Sequence, residues 1–159
     1  MVLIAFEGPQ KAGKTTLITE ILKKVDIPLW VRPWQIERHK EIFGNYRMFV
    51  LDEMSLLWCV DWSKNHLIID RHPLISECVY CKIRTGVPWD VEKEIHLHIP
   101  PSSVFVYCKP PEDVNQDQRK LYDEIFDRVE QWFPVLRLDW MPLEERTKLT
   151  LKFIGRWLR

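Results

Sequence analysis

Gly8, Gly13, Lys14 and Thr15 stand in the order G-x-x-x-x-G-K-T within Phe6-Glu7-Gly8-Pro9-Gln10-Lys11-Ala12-Gly13-Lys14-Thr15-Thr16. That spacing suits one chemistry, the cradling of a nucleotide's phosphates. Glycines allow the tight turn in which successive backbone N–H groups point inward, and a helix starting after the turn adds the positive potential of its N-terminus. Lys14 offers a point charge to the β- and γ-phosphates, and the Thr15 hydroxyl offers a ligand to Mg²⁺. Gly8, Lys11, Ala12, Gly13, Lys14, Thr15 and Thr16 are the expected nucleotide-binding residues, with Lys14 also catalytic.

A second group with chemical capacity is Asp70-Arg71-His72, directly after the apolar run Leu67-Ile68-Ile69. An acid at the tip of a buried strand can hold Mg²⁺ together with Thr15, and an arginine beside it can fork onto phosphate oxygens. Asp70 and Arg71 are therefore expected to be catalytic. Lys11, projecting from the loop, is expected to supply a further cation to the transferred phosphoryl group, and Arg119 is the alternative donor-side cation. Glu77 is a candidate base if the acceptor is a hydroxyl group.

These groups need elements to hold them. Val2–Phe6, Ile27–Val31, His66–Asp70, Val104–Tyr107 and Val135–Leu138 read as short strands, several of them apolar on both faces as in a parallel sheet. Helical periodicity predicts helices over Lys14–Lys24, Tyr46 to about Ser63, Pro73 to about Arg84, Gln118–Trp132 and Leu143–Trp157, with a short one over Val91–Leu97. The alternation predicts an α/β fold, a five-stranded parallel sheet with helices on both faces and ligands at the carboxyl ends of the strands. Little chain separates Pro111 from Gln118, so any lid over the site is very short.

Composition bounds the rest. The 159 residues fit one domain over 1–159, and 46% apolar residues with eight tryptophans allow a substantial core. Lys+Arg and Asp+Glu balance at 23 each, which speaks against broad phosphate-backbone tracking on DNA. No apolar run is long enough to cross a membrane and no signal peptide is evident, so a cytoplasmic protein with reduced thiols is expected. Cys78 and Cys81 form a C-x-x-C inside a predicted helix. No second pair follows, so they are read as core cysteines rather than metal ligands.

No Asn-Lys-x-Asp or Asp-x-x-Gly sequence marks a GTPase, and the chain is short for a motor. Phe6-Glu7-Gly8 leading into Gly13-Lys14-Thr15-Thr16, together with Asp70-Arg71-His72, resembles the thymidylate kinase and deoxynucleoside kinase family of P-loop kinases. Arg32-Pro33 resembles that family's loop holding the acceptor monophosphate, and Trp58 falls where an aromatic stacks on the acceptor base. The resemblance implies acceptor binding by Arg32, Trp58 and Arg71, ATP as phosphoryl donor, and Mg²⁺. It also implies a homodimer through the helix near Tyr46–Ser63. The chain departs from the family at Gln10, where an acid is usual, and at Trp62, where an arginine often reads the base. The implied activity is phosphoryl transfer from ATP to a deoxynucleoside monophosphate. The alternatives are a hydroxyl acceptor, free or as hydroxymethyluracil in DNA, and a non-catalytic nucleotide-binding subunit.

Overall fold

The computed structural model describes residues 1–30 and 46–158; Arg32 lies outside them. Five parallel strands form one sheet: β1 (Leu3–Glu7), β2 (Leu29–Trp30), β3 (Leu67–Asp70), β4 (Ser103–Cys108) and β5 (Val135–Leu138). Their order is β2-β3-β1-β4-β5, so β1 is central between β3 and β4. Phe6 pairs with Asp70 on one side and Glu7 with Tyr107 on the other, which brings the ends of all three strands to one edge.

Alternation along β1 divides the core into two layers. Leu3 and Ala5 face a cluster built from α2 (Tyr46–Cys59), α3 (Pro73–Thr85) and α5 (Gln116–Val129), including Met54, Leu57, Cys78, Tyr122 and Phe126. Val2, Ile4 and Phe6 face α1 (Lys14–Leu22) and α6 (Leu143–Ile154), through Leu17, Ile21, Phe153 and Ile154. A 3₁₀ turn at Asp90–Glu94 and the short helix α4 (Ile95–His98) replace the single short helix expected over Val91–Leu97. Among the described residues no helix is long and apolar enough to cross a membrane.

The differences from the expected elements are local. Glu7 belongs to β1 although it is an acid, because its backbone continues the ladder opposite Tyr107. The third helix begins at Pro73 with His72 as its cap, the imidazole Nδ1 accepting from the Leu74 amide at 3.2 Å. Helix α5 starts at Gln116, two residues before the sequence pattern suggests, so residues 109–115 alone connect it to β4.

Candidate active site

Three segments meet at the carboxyl ends of β1, β3 and β4. The first is the loop between β1 and α1. Gly8 has φ 147° and Gly13 φ 72°, conformations that favour glycine. A Cβ on Gly8 would stand 2.1 Å from the Cys108 carbonyl oxygen, so the loop can approach β4 only without a side chain there. Lys11 adopts φ 64°, a left-handed conformation that costs a residue with a Cβ about 1–2 kcal/mol. Its side chain is exposed. The start of α5 braces this turn: Asn115 Nδ2 donates to the Gln10 carbonyl at 2.6 Å, and the Gln10 amide donates to Gln118 Oε1 at 3.3 Å.

Lys14 opens α1 and is only 7% exposed. Burial lowers its pKa, the Arg71 charge lowers it further, and Glu7 and Asp70 pull the other way. On the next residue, the Thr15 hydroxyl donates to Asp70 Oδ2 at 3.3 Å. Asp70 Oδ1 is buried with no hydrogen-bond partner among the described residues.

Arg71 also adopts a left-handed backbone, φ 69°, and its amide donates to the Phe6 carbonyl at 2.9 Å, extending the ladder past Asp70. This turns the guanidinium toward the loop. Its Nη1 donates to the Tyr122 hydroxyl at 3.0 Å and to the Gly8 carbonyl at 3.4 Å. Burial opposes the Arg71 charge, yet Tyr122 and Glu7 beside it hold its pKa above the ordinary value.

Glu7 is the residue that sequence reasoning left without a role. Its carboxylate is completely buried, accepting from the Ser76 hydroxyl at 2.8 Å and the Tyr122 hydroxyl at 3.1 Å. Arg71, Tyr122 and Glu7 thus form one donor-to-acceptor chain across the end of the sheet. Burial and the Glu7 charge drive the Tyr122 pKa well up, so the phenol stays protonated. The signal was legible: an acid closes an apolar strand immediately before the first loop glycine.

The structure therefore joins Gly8, Lys11, Ala12, Gly13, Lys14, Thr15, Asp70 and Arg71 in one place. It does not bring Trp58 there. Trp58 lies at the end of α2 and donates to the His98 carbonyl at 2.9 Å; nearby, the Trp62 carbonyl accepts from the Met1 ammonium at 2.7 Å. Trp58 also lines a groove with Met54, Leu74 and Trp89. Arg119 sits on the first turn of α5, where its carbonyl accepts from the Tyr107 hydroxyl at 3.3 Å. Glu77 is buried and ion-paired with Arg84. Cys78 and Cys81 are buried in the core, and burial raises the Cys78 pKa.

No protein-family model matches the chain, and no curated protein sequence does. Solved structures do. A deoxyadenosine kinase from M. mycoides, with products dCMP and a flexible dCDP bound, superposes with a TM-score of 0.67 at 14% identity, covering 98% of this chain and 100% of that one. The YorR protein of Bacillus subtilis, in complex with phosphorylated GDP, gives 0.64 at 18% identity over 99% of both chains. A thymidylate kinase from Candida albicans gives 0.59 at 13% identity, covering 98% and 91%. With its central glycine loop at the carboxyl end of β1, the chain has the P-loop kinase fold of the deoxyadenosine kinase and the thymidylate kinase.

Proposed function

We propose that the protein transfers the γ-phosphoryl group of ATP to a hydroxyl group of a nucleoside-class acceptor. The observation that carries this is the convergence of Lys14, Thr15, Asp70 and Arg71 on the glycine loop with a buried carboxylate, Glu7, in the same cluster.

Phosphoryl transfer needs in-line placement and dispersal of charge. Loop amides and Lys14 hold the donor's phosphates, and Arg71 faces the transferred group. Lys11 is the additional cation in this reading, its strained backbone presenting the side chain from the loop. Thr15 and Asp70 suit Mg²⁺, which accepts few protein ligands when phosphates complete its shell; Asp70 Oδ1, without a partner among the described residues, is an oxygen such an ion satisfies. When bound, the ion neutralises phosphate charge.

Glu7 favours the hydroxyl acceptor. A hydroxyl must lose its proton as it attacks, and a carboxylate linked to Arg71 through Tyr122 can take it. A monophosphate oxygen is already ionised and meets the same carboxylate as a like charge. A deoxynucleoside monophosphate acceptor is the second reading. It leans on Arg32, outside the described residues, and on the likeness to thymidylate kinase. The balanced net charge favours a free acceptor over a base in DNA. The proposal includes a homodimer through α2, where Leu51, Leu56 and Trp58 are about half exposed, and light scattering tests it. It also places the chain in the reducing cytoplasm, in keeping with its four free cysteines.

The deciding experiment offers Mg²⁺ and γ-labelled ATP with three acceptor pools: deoxynucleosides, their monophosphates, and DNA with and without hydroxymethylated bases. Label in the deoxynucleosides is expected. Label confined to monophosphates would establish the second reading, and label in none would overturn catalysis altogether.

A further inference from the structure

We propose that Arg146 is a positioning residue for the phosphate loop, aiming the Gly13 amide at the donor from behind the loop without touching the donor itself. The inference rests on the ATP-binding reading above and adds a residue from the far end of the chain to it.

Arg146 lies near the start of α6 and is only 6% exposed. Its Nε donates to the Met141 carbonyl at 2.9 Å, its Nη1 reaches the Ala12 carbonyl at 3.5 Å, and its guanidinium lies 4.6 Å from the centre of the Trp140 ring. The packing against the loop is close: a Cβ on Gly13 would stand 2.7 Å from Nη1 and 3.4 Å from the Trp140 ring. Among the described residues no carboxylate forms an ion pair with Arg146. A buried guanidinium without a counter-ion is a costly arrangement, and it stands beside the loop that is to receive a polyphosphate.

Peptide geometry connects the contact to function. The Ala12 carbonyl and the Gly13 N–H belong to one planar trans peptide and point in opposite directions. Drawing the carbonyl outward to Arg146 therefore turns the Gly13 N–H inward, into the phosphate cradle. The positive charge behind the peptide strengthens that dipole. The need follows from the short connection over residues 109–115, which leaves little chain to close over the donor and hold the loop from above. Trp140 completes the device by covering the guanidinium, which keeps water from competing for it.

The test is ADP binding by calorimetry with Mg²⁺ for wild type, Arg146→Lys, Arg146→Met and Trp140→Leu, alongside their melting temperatures. Loss of a charge-assisted hydrogen bond to the loop predicts about tenfold weaker ADP binding for Arg146→Met, with partial recovery in Arg146→Lys. Acceptor KM should be unchanged in both. Trp140→Leu keeps the guanidinium but uncovers it, and should weaken ADP binding about threefold. Variants that are folded and bind ADP within twofold of wild type would overturn the inference while leaving the proposed function intact. If Arg146→Met does not fold, Arg146→Lys and Trp140→Leu decide by the same criterion. A wild-type chain that binds no ADP overturns the ATP-binding reading and this inference with it.

Discussion

Thr15 Oγ1 and Asp70 Oδ2 lie 3.3 Å apart, joining the first turn of the loop helix to the tip of a strand more than fifty residues later in the chain. The other Asp70 oxygen is buried without a partner among the described residues. Asp70→Asn keeps a side-chain oxygen for Thr15 and removes the charge, so the fold should hold while kcat falls about 10²–10³-fold, the scale for losing one well-placed electrostatic group. The Mg²⁺ concentration for half-maximal rate should rise as well. An unchanged Mg²⁺ titration would remove Asp70 from the metal site.

Lys14 gives a prediction of opposite sign for stability and function. Burial and the Arg71 charge lower its pKa, so in the empty protein its charged form is less favoured than in the unfolded chain. Its folded pKa being the lower one, the penalty is present below that value and fades as pH rises toward the unfolded one. Lys14→Met should therefore raise the Tm of the unliganded protein at neutral pH, by about 2–4 °C for each kcal/mol relieved. The same variant should lose the Tm increase that ADP gives the wild type. A lower Tm for the unliganded variant would show that the attractions to Glu7 and Asp70 outweigh desolvation.

The glycine loop and the Asp70-Arg71 pair were legible in the sequence because each is local. Gly8 to Thr16 is one continuous stretch, and Asp70-Arg71 follows an unmistakable apolar strand. What escaped notice depends on contacts between segments distant in sequence. Tyr122 reads as a core residue of an amphipathic helix, and only the pairing of β1 with β4 brings it to Glu7. Arg146 reads as an ordinary helix arginine until α6 packs beside α1 and places it against Ala12. For Trp58, helical periodicity gives the face it occupies but not the neighbours, Leu74 and Trp89, that line a groove with it.

Two glycines with positive φ separate crowding from backbone preference. Gly8→Ala would put a Cβ 2.1 Å from the backbone oxygen of Cys108, which neither strand can yield without breaking the ladder. The loss should exceed about 3 kcal/mol, beyond what ordinary substitutions cost, and leave little folded protein. Gly86, the C-cap of α3 at φ 73°, has no atom within 4 Å of a built Cβ. Gly86→Ala should cost only the left-handed conformation, about 1–2 kcal/mol. Denaturant melts of the two variants check this, and equal losses would mean that crowding at Gly8 is absorbed elsewhere.

Glu7 is the residue on which the acceptor turns. If it takes the proton of an attacking hydroxyl, Glu7→Gln should lower kcat by about 10²–10⁴-fold, the usual contribution of a positioned base. The ATP KM should change little, because Gln keeps an acceptor oxygen for one of the Ser76 and Tyr122 hydroxyls and its amide NH2 can donate to the other. Tyr122→Phe is the matched control. It removes the hydroxyl that links Glu7 to Arg71 but leaves the carboxylate, so its kcat should fall only about tenfold, the equivalent of one hydrogen bond. The loss of kcat should therefore be about tenfold or more greater in Glu7→Gln than in Tyr122→Phe, since only the former removes the base. If Glu7 serves instead as the counter-ion of Lys14 and Arg71, both variants should weaken ATP binding and lower kcat to a similar extent. A monophosphate acceptor predicts that second pattern, because its attacking oxygen carries no proton to remove. The pair of variants thus reads the acceptor chemistry from the enzyme, independently of which nucleoside is supplied.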